Sequence, residues 1–344
     1  MLNLAVVKAL VTDLVSRATN DVSVPESGTL ARNSRVIWVV IAAMAVTTII
    51  GYWSAGLLFA WVTFKTIALC ALPCLAVSWY YQRLRPDPYI GFATEVFAQL
   101  LLALTLGAAL SYPLATTGFP YCDALLDSAD KWMGLDWRAY LHFINDTPLL
   151  STITHLAYNS MLFQLVVLFI VLVPTSRFVR LQQFVLANAL GLCIALAVFT
   201  FVPAGGIYGF LQIAHSEYLN VSPIMTTDQK IYLDALRSGE HMLIDEMSGL
   251  ITFPSFHTAW AIFFAWAFYP VKRLRAAAFL LNLVVLAATP IQGAHYFIDL
   301  VGGAIVAAIS IYGAVRLTRA AHRTRPVVAQ PRPQDDAVNG TLIA

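Results

Sequence analysis

The sequence predicts an all-α fold, a polytopic membrane helical bundle. Three observations carry that expectation: the composition, a series of long apolar runs, and basic clusters that recur on one side of those runs. Of 344 residues, 59% are hydrophobic and 12% are charged, whereas a soluble domain is about 45–50% apolar and about 25% charged. The mean hydropathy is +0.72. A formal net charge of only +2 hides the asymmetry described below.

Taken in order, residues 1–34 form an N-terminal segment with no apolar core leading to a small-residue cleavage site, so no cleavable signal is expected. Within it, Ala5 to Val15 alternates apolar and charged residues and is expected to lie on the membrane surface. Residues 35–91 hold two N-terminal helices, predicted near 36–54 and 56–81, with Gly51 to Gly56 serving as a kink or a turn. Lys65, inside the second run, is expected to snorkel or to pair with a carboxylate. Six further runs fall near 92–112, 151–173, 181–202, 257–270, 275–291 and 295–316, forming one membrane unit over 92–320. Residues 321–344, rich in Pro, Arg, Asp and Gln, read as a disordered tail.

The basic clusters orient the bundle. Arg32/Arg35, Arg83/Arg85, Arg177/Arg180, Lys272/Arg273/Arg275 and Arg316/Arg319/Arg323/Arg325 all fall on one side of an eight-span arrangement. An excess of Lys and Arg marks the cytoplasmic side, which would hold both termini. A six-span count keeps that assignment for the C-terminal half. Two long loops, 113–150 and 203–255, then face outward and carry most of the acidic residues. In the first, Trp132 and Trp137 with Tyr121 and Tyr140 suggest one interfacial helix over Ala124 to Phe143. Asp123, Asp127 and Asp130 would share its solvated face. Cys70, Cys74 and Cys193 sit in apolar runs and Cys122 in a loop, so no disulfide framework is expected. Neither an internal repeat nor a nucleotide or nucleic-acid signature is visible, and no nucleic-acid partner is expected.

Two motifs at the outer mouths of apolar runs carry the chemistry. The first is Pro254-Ser255-Phe256-His257-Thr258 and the second is His295-Tyr296-Phe297-Ile298-Asp299. Histidine and aspartate are costly at a membrane boundary unless they are used. On a helix, His295 and Asp299 would be i and i+4, stacked on one face, with the carboxylate fixing the imidazole tautomer. Ser255 suits an N-cap, and the first-turn amides of Phe256, His257 and Thr258 would form an anion cradle. Together these parts fit phosphoryl transfer through a phosphohistidine. His295 would attack phosphorus, Asp299 would stabilise the cation, and His257 would move the proton. Such a set needs no metal and no cofactor.

These residues resemble the type 2 phosphatidic acid phosphatase (PAP2) superfamily. Pro254-Ser255-Phe256-His257 is similar to its Pro-Ser-x-His turn, and His295 to Asp299 to its His-x-x-x-Asp at a helix mouth. The wording of the second motif is most like the inositolphosphotransferase branch. The resemblance implies a six-helix PAP2-like core with about two N-terminal helices added, and a lipid phosphate or phospholipid substrate in the bilayer. It also implies lipid phosphatase or phosphotransferase activity, with inositol-phosphate transfer to a ceramide-like alcohol as the alternative. Two departures stand out. No Lys followed by Arg-Pro precedes residue 254 on the outer side, since Arg83-Leu84-Arg85-Pro86 falls on the other, and Thr289 replaces the family's arginine six residues before the nucleophile. That leaves Lys230 and Arg237 of the outer loop as candidate phosphate ligands, with His241 on the same loop read as a surface residue. Two other classes stay open on the residues alone: a metal-dependent hydrolase ligated by His257, His295 and Asp299, and a non-catalytic phospholipid-binding or transport protein.

Overall fold

The computed structural model describes residues 27–59, 61–223, 228–240, 243–244 and 249–323. The expected surface helix Ala5–Val15, the tail from residue 324, and His241 lie outside the described residues. The fold is helical throughout, with one parallel two-residue pairing of Leu58–Phe59 (β1) and Leu243–Ile244 (β2).

Eight helices build the bundle and smaller ones cap one end. The bundle helices are α1 (Ser27–Ala55), α2 (Trp61–Arg83), α3 (Pro88–Ala115), α6 (Pro148–Leu172), α7 (Phe178–Phe201), α10 (Phe256–Phe268), α11 (Arg275–Gln292) and α12 (Phe297–Arg323). The cap is made of α4 (Asp123–Trp132), α5 (Trp137–Asn145), the single turn α8 (Ile207–Phe210) and α9 (Asp228–Ser238). Six of the bundle helices (α1, α3, α6, α7, α11 and α12) are long and apolar enough to cross a membrane, and α10 is a shorter apolar helix. This is an integral multi-pass membrane protein.

The packing follows from the residues. Helix α7 is apolar on all sides and sits in the middle, touching α1, α3, α10 and α12, as a helix without a polar face must. Helix α6 instead turns Leu149, Leu156, Leu162 and Phe163 outward, a row of exposed large apolar side chains suited to lipid. Buried amides tie neighbouring helices together: Asn282 Nδ2 of α11 donates to Gln164 Oε1 of α6 at 2.8 Å, and Asn33 Nδ2 of α1 to Gln182 Oε1 of α7 at 3.2 Å. Such bonds are worth about 0.6–2 kcal/mol each inside a membrane.

One open alternative is resolved and two expectations need correction. Residues 51–55 complete α1, which ends at Ala55, and the chain then turns at Gly56, φ 65°, so the first two helices are separate. The single interfacial helix is two helices, because Gly134 takes φ 77° and Asp136 then caps α5 by accepting from Ala139 N. Asp123 and Asp130 are buried, not solvated. Lys65 is exposed on α2.

Candidate active site

Both motifs sit at the capped end of the bundle. Ser255 caps α10, its Oγ accepting from Thr258 N at 3.2 Å. The helix therefore starts where sequence logic places it, with His257 in its first turn. His295 does not open α12: it lies in the turn before it, and the helix begins at Phe297. Its pairing with Asp299 survives, because the chain enters the helix tightly. Asp299 Oδ2 faces His295 Nδ1 at 3.0 Å and also accepts from Tyr296 N at 2.9 Å. The carboxylate thus caps its own helix and orients the histidine with one oxygen.

The two motifs are bonded to each other. Ser255 N donates to Asp299 O at 3.1 Å. The close approach depends on Gly303, where a Cβ would run into the Ser255 carbonyl oxygen and lie 2.8 Å from Thr258 Cβ. The rings of His257 and His295 face one another with centroids 5.9 Å apart. Both line one cavity of about 270 Å³, whose other walls include Leu104, Gly107 and Ala108 of α3, Leu192 of α7, and Phe256 and Trp260 of α10. Beside the two histidines the cavity is walled by apolar residues, an apolar slot between α3, α7 and α10. Burial pushes the His295 imidazole below its ordinary value, opposed by a hydrogen bond with the Thr252 backbone. A neutral ring holding its proton toward Asp299 keeps a lone pair on the other nitrogen.

Residues the motifs do not contain hold the His295 turn in place. Trp137 Nε1 donates to His295 O at 3.1 Å. Tyr296 Oη donates to Asp123 Oδ1 at 2.8 Å. Asp130 accepts from Phe297 N at 2.8 Å and Ile298 N at 2.7 Å. Four successive residues, 295 to 298, are therefore anchored to α4 and α5. Asp123 also accepts from Gly205 N and Gly206 N at 2.8 and 3.1 Å, tying in the turn after α7. Burial holds the Asp130 carboxyl above its usual range, and the two α12 amides offset that only in part. An anion suits that place, since a helix N-terminus carries a partial positive charge. The sequence places these aspartates in solvent; no local signal could reveal partners 82 to 173 positions away.

The expected phosphate ligands are placed unevenly. Phe256 and His257 line the cavity, whereas Ser255 and Thr258 are buried behind it. Lys230 and Arg237 lie on α9, beside Tyr121. Lys230 Nζ pairs with Asp234 Oδ2 at 2.6 Å, and Arg237 Nε donates to Ala115 O at 3.0 Å with its guanidinium 3.9 Å over the Tyr121 ring. Burial would raise Asp234, but hydrogen bonds from Lys230 and Tyr121 outweigh it and hold the carboxyl below its usual range. Neither cation is among the cavity's lining residues, although Gln229, next to Lys230, is. Among the described residues, no cluster of three or more His, Cys, Asp or Glu side chains is arranged to hold a metal ion.

The PAP2 superfamily profile matches residues 124–313, more than half of the 344-residue chain, and the chain belongs to that superfamily. It is a membrane protein of a phosphatase-type enzyme family. The match begins in α4, so α1 to α3 precede it. No curated protein and no solved structure matches the chain.

Proposed function

We propose that the protein is a lipid phosphatase/phosphotransferase working through a phosphohistidine at the outer membrane face. The observation that supports this most is His295, oriented by Asp299 and facing His257 across a cavity that runs on into an apolar slot. The lone pair of the His295 ring nitrogen away from Asp299 attacks phosphorus. The bond from phosphorus to the leaving oxygen breaks as that oxygen takes a proton from His257. Neutral His257 then removes a proton from water or an alcohol. That oxygen attacks the phosphohistidine, the P–N bond breaks, and His295 is restored. Asp299 offsets the charge on His295 in both halves. The apolar slot between α3, α7 and α10 accommodates a lipid chain.

The outer-face assignment rests on the basic clusters of the sequence, whose described members lie toward the starts of α1, α7 and α11 and the ends of α2 and α12, away from the site. That side would be cytoplasmic and hold both termini. One observation favours the transferase alternative. Among the described residues lining the cavity none is Lys or Arg, a setting better suited to a singly charged phosphodiester than to a doubly charged monoester. Inositol-phosphate transfer from a phospholipid to a ceramide-like alcohol is the form such a reaction would take. Purified protein supplied with lipid phosphates and phospholipids, with and without inositol or ceramide, separates the cases. Free phosphate marks a phosphatase, and a new phospholipid appearing only with the alcohol marks a transferase. Tight phospholipid binding without turnover, surviving His295→Ala, would overturn both.

A further inference from the structure

We propose that Tyr158 of α6 is a catalytic residue of this site, its hydroxyl donating a hydrogen bond to the phosphoryl group held between His257 and His295. The inference rests on the function proposed above, and it names a ligand that neither motif contains.

Tyr158 is 2% exposed, and its hydroxyl has no hydrogen-bond partner among the described residues. A buried hydroxyl left open is destabilising, and inside a membrane no bulk water is present to offset that. Its place explains the vacancy. The Tyr158 ring packs on His257 with centroids 5.0 Å apart, and the residue lines the same cavity as both histidines. On the far side, a Cβ at Gly293 would lie 2.6 Å from Tyr158 Oη and 3.0 Å from His295 Cδ2. The hydroxyl and the His295 ring edge therefore both close on Gly293, an approach that only a residue without a side chain allows. Cδ2 is bonded to Nε2, the ring nitrogen that does not contact Asp299. A phosphoryl group on that nitrogen would bring an oxygen toward Tyr158.

The chemistry of the site gives the hydroxyl a task. As the P–O bond to the leaving group lengthens, negative charge spreads over the three equatorial phosphoryl oxygens. Donors aimed at those oxygens lower the barrier. With no Lys or Arg among the described lining residues, an uncharged donor carries that load. Tyr158 keeps its proton throughout; it neither attacks nor transfers.

Tyr158→Phe removes one oxygen and keeps the ring on His257. The expected result is a fall in kcat of about 10²-fold with little change in KM, the usual loss for one transition-state donor. Inhibition by orthovanadate, which mimics the phosphoryl transition state, should weaken by a similar factor while the melting temperature in detergent stays put. Gly293→Ala, whose methyl would push Tyr158 Oη away from the His295 ring edge while leaving the hydroxyl in place chemically, should weaken orthovanadate binding as well. Should Tyr158→Phe fail to fold, wild-type orthovanadate affinity in Gly293→Ala would by itself overturn the proposal. If Tyr158→Phe matches wild type in rate and orthovanadate affinity while His295→Ala is inactive, the Tyr158 assignment falls and the proposed function stands. If His295→Ala is as active as wild type, or wild type turns over no phosphoryl substrate, the proposed function itself falls and Tyr158 loses its role with it.

Discussion

Removing the Asp130 carboxylate should damage catalysis from a residue with no place in the cavity. Asp130 is 2% exposed and takes two amide hydrogen bonds, from Phe297 N at 2.8 Å and Ile298 N at 2.7 Å. Hydrogen bonds to an ionised group are worth about 1.5–3 kcal/mol each, and losing one partner strands the other. Some compensation by water leaves about 2–4 kcal/mol as the expected cost of Asp130→Ala. Asp130→Asn keeps one acceptor oxygen and should cost about half as much, on the same scale. The Phe297–Ile298 amides lie directly after the His295 turn, so freeing them would loosen the proposed nucleophile. A misplacement near 1 Å costs up to roughly 10²-fold in rate. Detergent-purified variants would be compared by thermal unfolding and by turnover of a lipid phosphate. The expected order in both readouts is wild type, Asn, Ala, with the rate falling well below what any loss of folded protein explains. Wild-type stability and rate in Asp130→Ala would refute the claim that α4 holds the catalytic turn.

Other substitutions follow from the same geometry. Gly303→Ala would drive the Ser255 carbonyl away from α12 and so strain the hydrogen bond from Ser255 N to Asp299 O that joins the motifs, and it should abolish turnover while a Gly302→Ala control, facing Pro254 at 2.9 Å, loses less. Asp299→Asn keeps the shape but not the charge, and turnover should drop roughly 10³-fold to 10⁴-fold, as for other buried carboxylates that orient a histidine. Ala108→Phe should narrow the apolar slot, shifting preference toward shorter lipid chains with little effect on a soluble phosphate ester. Exhaustive chelation should leave full activity; a loss restored by zinc would favour the metal-ligand reading of His257, His295 and Asp299.

What the sequence disclosed was what local chemistry encodes. Apolar runs gave the helices, since length and hydropathy alone decide which segments can cross a bilayer. The Ser255 cap and the His295–Asp299 pair were legible because their partners lie three or four residues away. The start of α12 was misread: an apolar run does not reveal that the chain turns at His295 before it coils at Phe297. Tyr158, Asp123, Asp130 and Trp137 stayed hidden because their roles depend on tertiary contacts. Trp137 and His295 are 158 positions apart, and Asp123 and Tyr296 are 173 apart. An acidic face on an amphipathic helix ordinarily meets solvent; here it meets the first turn of α12 and two glycine amides. Lys230 and Arg237 stand out in the sequence as cations of the outer loop, while their contact with Tyr121 depends on tertiary packing.

The central claim is that His295 carries the phosphoryl group. The most direct measurement is a rapid quench of His257→Ala with a radiophosphate-labelled lipid whose leaving group needs no proton, followed by peptide mapping of the protein. The account predicts a label that is stable in base, lost in acid, confined to the peptide containing His295, and absent from the double variant His257→Ala/His295→Ala. A label that persists in the double variant, or no label during measurable turnover, would contradict it.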